Sequence, residues 1–199
     1  MTTKSCSDDP LVRYFEERNW QYFRGDEDNV FLRFYEACRK LKPTFFFRIC
    51  ADNPFIEPLF LDELADFVLE CPEYDYISYA DTHGRPVMRS HYGFFGEIIS
   101  AKTFRKLRSE NLEESTLEHV TSIFYENPDR FKIRLIPIPQ ELCNNRIRLT
   151  IDTPEDLGIV RKIFAHLIPD FTIYDVYEYL QKEKGILNSM VKQIERNRK

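Results

Sequence analysis

Glycine is scarce in this chain. Only six occur in 199 residues, and none sits in a G-x-G-x-x-G or Walker-type loop, so the common glycine-rich phosphate cradles are excluded. No apolar run approaches the ~18 residues that a membrane helix needs. The N-terminus, polar and acidic after Lys4, lacks the apolar core of a signal peptide. The expected compartment is the cytoplasm. Five cysteines (Cys6, Cys38, Cys50, Cys71, Cys143) are an odd number without C-x-x-C spacing. They read as free thiols in a reducing compartment rather than as a zinc site or a disulfide framework. Basic charge is also in deficit. A formal charge of −5 argues against nucleic-acid binding, which usually announces itself with a basic face. It does not exclude a triphosphate ligand, where local cations and a metal decide. Internal repeats, low-complexity tracts and linkers are absent.

What is present fits one soluble globular domain, with 43% hydrophobic and 31% charged residues. Asp9 and Pro10 open a helix to about residue 19, and residues 20–23 read as a short strand. A polar loop over 24–29 feeds a helix over 30–41 with Phe31, Phe34, Tyr35 and Cys38 on its buried stripe. Residues 44–51 form an apolar strand without strict alternation, as expected of a strand covered on both faces. Pro58 starts a helix ending near Cys71. Further strands are expected at 74–79, 93–100, 131–137 and 146–151, and further helices at 102–108, 116–126, 154–167 and 173–184. This alternation indicates an α/β fold with a mostly parallel sheet.

Two aspartates stand out. Asp52 closes the run Thr44-Phe-Phe-Phe-Arg-Ile-Cys-Ala51, and Asp152 closes Ile147-Arg-Leu-Thr-Ile151. Ligands of open α/β sheets bind at the carboxyl ends of the strands. Carboxylates facing one another there at ~5 Å repel by roughly 3 kcal/mol at an effective dielectric of ~20. A cation between them, with Mg²⁺ the natural candidate, relieves that repulsion. A plainer reading also stands. Asp152 precedes a helix start in which Thr153 suits the N-cap and Pro154 the first helical position, and Asp52 suits a turn before Asn53-Pro54.

The stretch Arg48-Ile-Cys-Ala-Asp-Asn-Pro-Phe-Ile-Glu-Pro58 resembles the "R-x-T-x-D-x-P-x-I-x-P" signature of sugar cytidylyltransferases, of the spore coat polysaccharide biosynthesis type. Further matches follow in the family's order: Asp8-Asp-Pro-Leu-Val12, Phe23-Arg-Gly25, Glu118-His-Val-Thr121, Tyr125-Glu-Asn-Pro128 and Arg148-Leu-Thr-Ile-Asp-Thr-Pro-Glu-Asp-Leu157. The resemblance implies a nucleotide-diphospho-sugar transferase-like, Rossmann-like sheet with helices on both faces. Residues 1–180 would form an incomplete cytidylyltransferase-like α/β domain and residues 181–199 a helical, basic tail. It also implies that Asp52 and Asp152 hold Mg²⁺, that Arg24 and Arg48 contact nucleotide phosphates, and that Arg89, Gly93 and Glu97 belong to a sugar-side loop. For Arg48 a sheet-face ion pair, and for Arg24 a surface loop charge, are the plainer alternatives. In the sugar-side loop the family's aspartate position is Phe95 and its proline is absent. His91 and Tyr92 can touch a sugar or simply pack.

The glycine- and arginine-containing loop close to "A-R-x-x-S-x-R-L-P-G-K", which grips the triphosphate in the family, finds no match. The expectation is an N-terminally truncated sheet, weak turnover by this polypeptide alone, and association with itself or a partner chain across an exposed apolar edge. The implied activity is cytidylyl transfer from CTP or another nucleotide to a sugar, with pyrophosphate leaving, in surface polysaccharide synthesis. The competing readings are a non-catalytic binding or assembly subunit and a metal-dependent glycosyltransferase. The last predicts D-x-D at a strand end, where Ala51-Asp52-Asn53 offers a single acid.

Overall fold

The computed structural model describes residues 1–110, 112 and 114–197. Its elements run β1 (Thr2–Thr3), α1 (Asp9–Glu17), β2 (Arg24–Gly25), α2 (Val30–Leu41), β3 (Phe45–Arg48), α3 (Pro58–Glu70), β4 (Tyr76–Ala80), β5 (Glu97–Ser100), α4 (Ala101–Lys106), α5 (Glu114–Glu118), α6 (Ser122–Glu126), β6 (Ile133–Pro137), α7 (Pro154–His166), α8 (Ile173–Lys182) and α9 (Lys184–Arg196). One sheet has the order β3-β5-β4-β6, and β1 pairs with β2, in parallel, in a second. The mixed α/β class expected from the alternation is present. The described residues group into two compact units, Met1–Phe46 with Ile99–Ile133 and Phe47–Ile98 with Arg134–Lys199.

Several boundaries differ from the sequence reading, each for a local reason. Residues 20–23 are not a strand: Asn19 is left-handed (φ 53) and Trp20 N–H returns to Phe15 C=O at 2.9 Å, so pairing begins only at Arg24. Gly93, at φ 69, breaks the extension expected from 93, and β5 starts at Glu97. Residues 146–151 form no strand: Arg146 lies in a turn, and the Leu149 and Ile151 amides bond to loop carbonyls instead of a ladder. The tail is a defined helix, α9, following α8 after one residue; residues 198 and 199 of the expected basic tail lie outside the described residues.

In the first unit, aromatic packing supplies the core. Phe104 stands 4.8 Å from Phe31 and 5.3 Å from Phe46, ring centre to ring centre, and Phe34 completes the group. Asn29 caps α2 by accepting from Leu32 N–H at 2.7 Å, and left-handed Lys42 ends it. Gly25 is required by crowding, since a Cβ there would lie 2.6 Å from the Arg33 side chain. The N-terminal residues are clasped by Asp8, whose Oδ2 accepts from the Thr2 hydroxyl and from Thr3 N–H and hydroxyl, the latter two at 2.7 Å.

In the second unit, α3 presents Phe60, Leu64 and Val68 at helical spacing to the core. Phe60 packs on Phe95 at 4.7 Å and on Tyr79 at 5.4 Å. β4 is buried at every position, on both faces. Glu57 joins two helix starts: one oxygen accepts from Leu59 N–H and the other from Ile173 N–H at 2.8 Å. β3 ends its sheet and carries half-exposed Phe47.

The clasp predicts an acid signature. Led by the Thr2 hydroxyl, these donors hold the Asp8 carboxyl at about 2 against an ordinary 3.8. A depressed carboxylate stabilises the fold above its unfolded pKa, and that contribution disappears as pH falls through the folded value. The melting temperatures of wild type and Asp8→Asn should therefore differ at pH 6 and converge near pH 2. A gap independent of pH would rule the clasp out.

Candidate functional site

Two chain segments in the second unit meet at Asp52. Ile151 N–H donates to Asp52 C=O at 2.9 Å, and Leu149 N–H donates to His91 C=O at 2.8 Å. Residues 149–151 are thus pinned between the loop after β3 and the loop before β5. Gly93 permits the approach. A Cβ there would lie 2.7 Å from the Leu149 carbonyl carbon and 2.9 Å from Thr150 N, and its φ of 69 disfavours any side chain.

A small cavity of about 50 Å³ opens between these segments, lined by Asp52, Asn53, Cys50, Ser90, Gly93 and Thr150 among others. Among the described residues none donates a hydrogen bond to the half-buried Asp52 carboxylate. Asp152 is placed one residue beyond Ile151. Its Oδ2 accepts from Arg148 Nη2 at 2.6 Å and from the Thr150 hydroxyl at 3.0 Å.

Arg148 organises this region. Its side chain is wholly buried. Nε and Nη2 form a fork on the two Asp156 oxygens, both at 2.8 Å, and Nη1 contacts His91 Nδ1 at 2.6 Å. Asp156 also accepts from the backbone N–H groups of Asp152 and Thr153, while Thr153 caps α7 in return. Burial pushes the Asp156 carboxyl up, but the Arg148 fork and these N–H donors outweigh it and hold it below the ordinary carboxylate value.

The remaining expected site residues fall in three places. Arg48 and Glu97, expected to bind phosphate and sugar respectively, are each other's partner at 2.5 Å, and Tyr76 hydroxyl donates to the second Glu97 oxygen at 2.5 Å. Glu97 is fully buried. Arg24 lies in the first unit, where it donates to the carbonyls of Thr3 and Ser5, both at 2.7 Å, and pairs with Asp9 at 2.8 Å. Arg89 is exposed and lines a larger cavity of about 280 Å³ with Arg85, His91 and Asn145. Reading the sequence alone left Arg148 without a role and gave Asp156, with Glu155, only that of complementing the helix dipole. The signal was a charged residue inside the apolar run Ile147-Arg-Leu-Thr-Ile151, which only a buried acid can accommodate.

The donor set Asp52, Asp152 and Thr150 is all hard oxygen. That chemistry fits Mg²⁺, which takes one or two carboxylates and fills its shell with water and phosphate. No group of three or more metal-ligating side chains occurs among the described residues, so a cage binding a metal without substrate does not arise from them.

No family model matches the chain. It is 29% identical over 195 residues to an uncharacterized protein of Methanocaldococcus jannaschii, covering 96% of this chain and 76% of that protein. It is 27% identical over 165 residues to the spore coat polysaccharide biosynthesis protein SpsF of Bacillus subtilis, covering 82% of this chain and 65% of SpsF, just under two thirds of its length. A solved cytidylyltransferase from Leptospira borgpetersenii superposes with a TM-score of 0.81 at 24% identity, over 93% of this chain and 76% of that one. A CMP:2-keto-3-deoxy-manno-octonic acid synthetase complexed with CTP gives 0.58 at 12% identity, over 82% and 79%. The fold is that of the nucleotide-diphospho-sugar transferases. The chain is thus similar, in sequence to SpsF and in fold to solved cytidylyltransferases.

The Arg48–Glu97–Tyr76 group makes a stability prediction. Leaving one buried charge without its partner costs about 3–5 kcal/mol. Glu97→Ala should lose an amount in that range in urea unfolding, and Tyr76→Phe only about 1 kcal/mol, the scale of a single hydrogen bond. Equal losses would contradict the pairing.

Proposed function

We propose that this protein is a sugar nucleotidyltransferase of polysaccharide biosynthesis, passing the cytidylyl group of CTP to a sugar and releasing pyrophosphate. The observation that carries the reading is the bond joining Ile151 to Asp52, beside a small cavity lined by Asp52 and by Thr150, whose hydroxyl donates to Asp152. SpsF by its name and the CTP complex of the structural neighbour supply the chemical class.

In this reading a sugar hydroxyl attacks the α-phosphate in line. Positioning and charge neutralisation provide most of the acceleration in such transfers, so no side-chain nucleophile is required. Asp52 and Asp152 would hold Mg²⁺, which supplies neutralisation of the phosphate oxygens as charge develops. Arg148 holds Asp152 by one oxygen and keeps the carboxylate from swinging. Asp152 and Asp156 around the Arg148 guanidinium carry a formal surplus of one negative charge, which favours a bound cation.

A binding or assembly subunit is the second reading, and one observation favours it. Arg24 and Arg48, the cations expected to grip phosphate, are both engaged by protein carboxylates. Titration calorimetry separates the two. CTP with Mg²⁺ should release heat, and Asp52→Asn should weaken that binding by about tenfold or more while leaving metal-free binding unchanged. Absence of heat with CTP, UTP, ATP and GTP in the presence of Mg²⁺ would overturn the transferase reading in favour of the subunit.

A further inference from the structure

A cavity of about 370 Å³ opens between α7 and α9 in the second unit, and it shares no lining residue with the cavity at Asp52. Its charged lining is Lys162 from α7, Lys192 and Arg196 from α9, and one carboxylate, Glu155. That is a formal surplus of two positive charges in a chain whose total is −5. None of the three cations makes an ion pair or hydrogen bond among the described residues, and Glu155 pairs with none of them. Lys192 and Arg196 stand one helical turn apart on α9, a spacing at which like charges repel. An anion between them relieves that repulsion.

A second feature lies on the same wall. Gln193 is 6% exposed, and its side-chain oxygen accepts from Asn197 Nδ2 at 3.4 Å. Its amide nitrogen makes no hydrogen bond among the described residues. Among those residues Ser122 Oγ is the one enclosed side-chain polar atom without a partner, so the Gln193 nitrogen is open to solvent although its residue is buried. A donor held ready in this way, at a positively charged opening, suits an oxyanion. Gly158 keeps the groove clear. It lies inside α7, where glycine weakens a helix, yet a Cβ there would meet nothing within 4 Å. No close approach requires it, and its missing side chain leaves room on the α7 side of the cavity.

We propose that this groove binds a phosphate group, with Lys162, Lys192 and Arg196 answering its charge and the Gln193 amide donating to one of its oxygens. Three cations and a neutral donor match a dianion with several terminal oxygens better than a carboxylate. The volume exceeds what a bare phosphate ion fills, so the organic body of a phosphate monoester has space. That body can belong to a soluble ester or to a phospholipid headgroup, and the recognising chemistry is the same. The transferase reading is not needed for this inference.

Phenyl phosphate presents the shared group and is the probe, with phenol as the neutral control, titrated into the full chain and followed by ¹⁵N–¹H spectra. The Gln193 side-chain amide and the Gly158 backbone N–H should shift with phenyl phosphate and stay still with phenol. Lys162→Gln combined with Arg196→Gln should weaken binding by about tenfold or more. Gly158→Leu alters no charge but fills the groove, and should weaken binding as much without lowering the melting temperature. Sedimentation with phosphatidylcholine vesicles, with and without phosphatidic acid, then identifies the source. Binding that needs phosphatidic acid and is lost in Gly158→Leu assigns a headgroup, and its absence assigns a soluble ester. Phenyl phosphate binding that survives Gly158→Leu would overturn the site, because that is the pattern of diffuse counter-ions around surface lysines. Unshifted Gln193 and Gly158 signals would overturn it as well, and they are read on wild type even if a variant fails to fold.

Discussion

One buried guanidinium sets the geometry of the region around Asp152 and the start of α7. Arg148 has no contact with water, so its charge must be answered within the protein, and two carboxylates and an imidazole answer it. Those partners come from three places in the chain: the loop before β5, the residue closing the extended run, and the first turn of α7. A single charge thereby fixes where α7 begins, how Asp152 is oriented and which nitrogen of His91 is protonated. Removing a partner from such a group leaves an uncompensated ion in a low-dielectric setting, so the arrangement is held as a unit rather than contact by contact.

A second buried ion pair governs what lies beside it. Glu97 is fully enclosed, and the Arg48 guanidinium lies in contact with it. Tyr76 takes up the other oxygen, tying β3, β5 and β4 together through side chains as well as through the ladder. Arg24 is treated likewise in the first unit, where it closes the N-terminal clasp. Cations that the motifs associate with phosphate have here become part of the framework. Asp52, by contrast, lines the small cavity without such a pairing among the described residues.

Much of this was legible before any coordinates. Apolar periodicity placed α2, α3, β4 and α7 closely, because their buried stripes are long and uninterrupted. The capping residues Thr153 and Pro154 marked the start of α7, and the ordered motifs gave the fold. Residues 146–151 misled, since they have the composition of a strand, but the Leu149 and Ile151 amides bond to the His91 and Asp52 carbonyls rather than to a ladder. Periodicity reports burial and says nothing about the partner. For the same reason Arg48 and Glu97 read as ligand residues: 49 positions apart in sequence, they carry no local mark that each completes the other. Arg148 did leave a trace, a charge within an apolar run, but its partners became visible only once α7 was folded against it.

Gly93 carries a consequence of its own. The position where two backbones come nearly into van der Waals contact is also where the loop bearing His91 meets the run bearing Arg148 and Thr150. A single methyl group at that crossing would wedge the two main chains apart without altering any charge or donor in the neighbourhood. The side chains on either bank are therefore free to differ in size and charge, while the crossing itself accepts none.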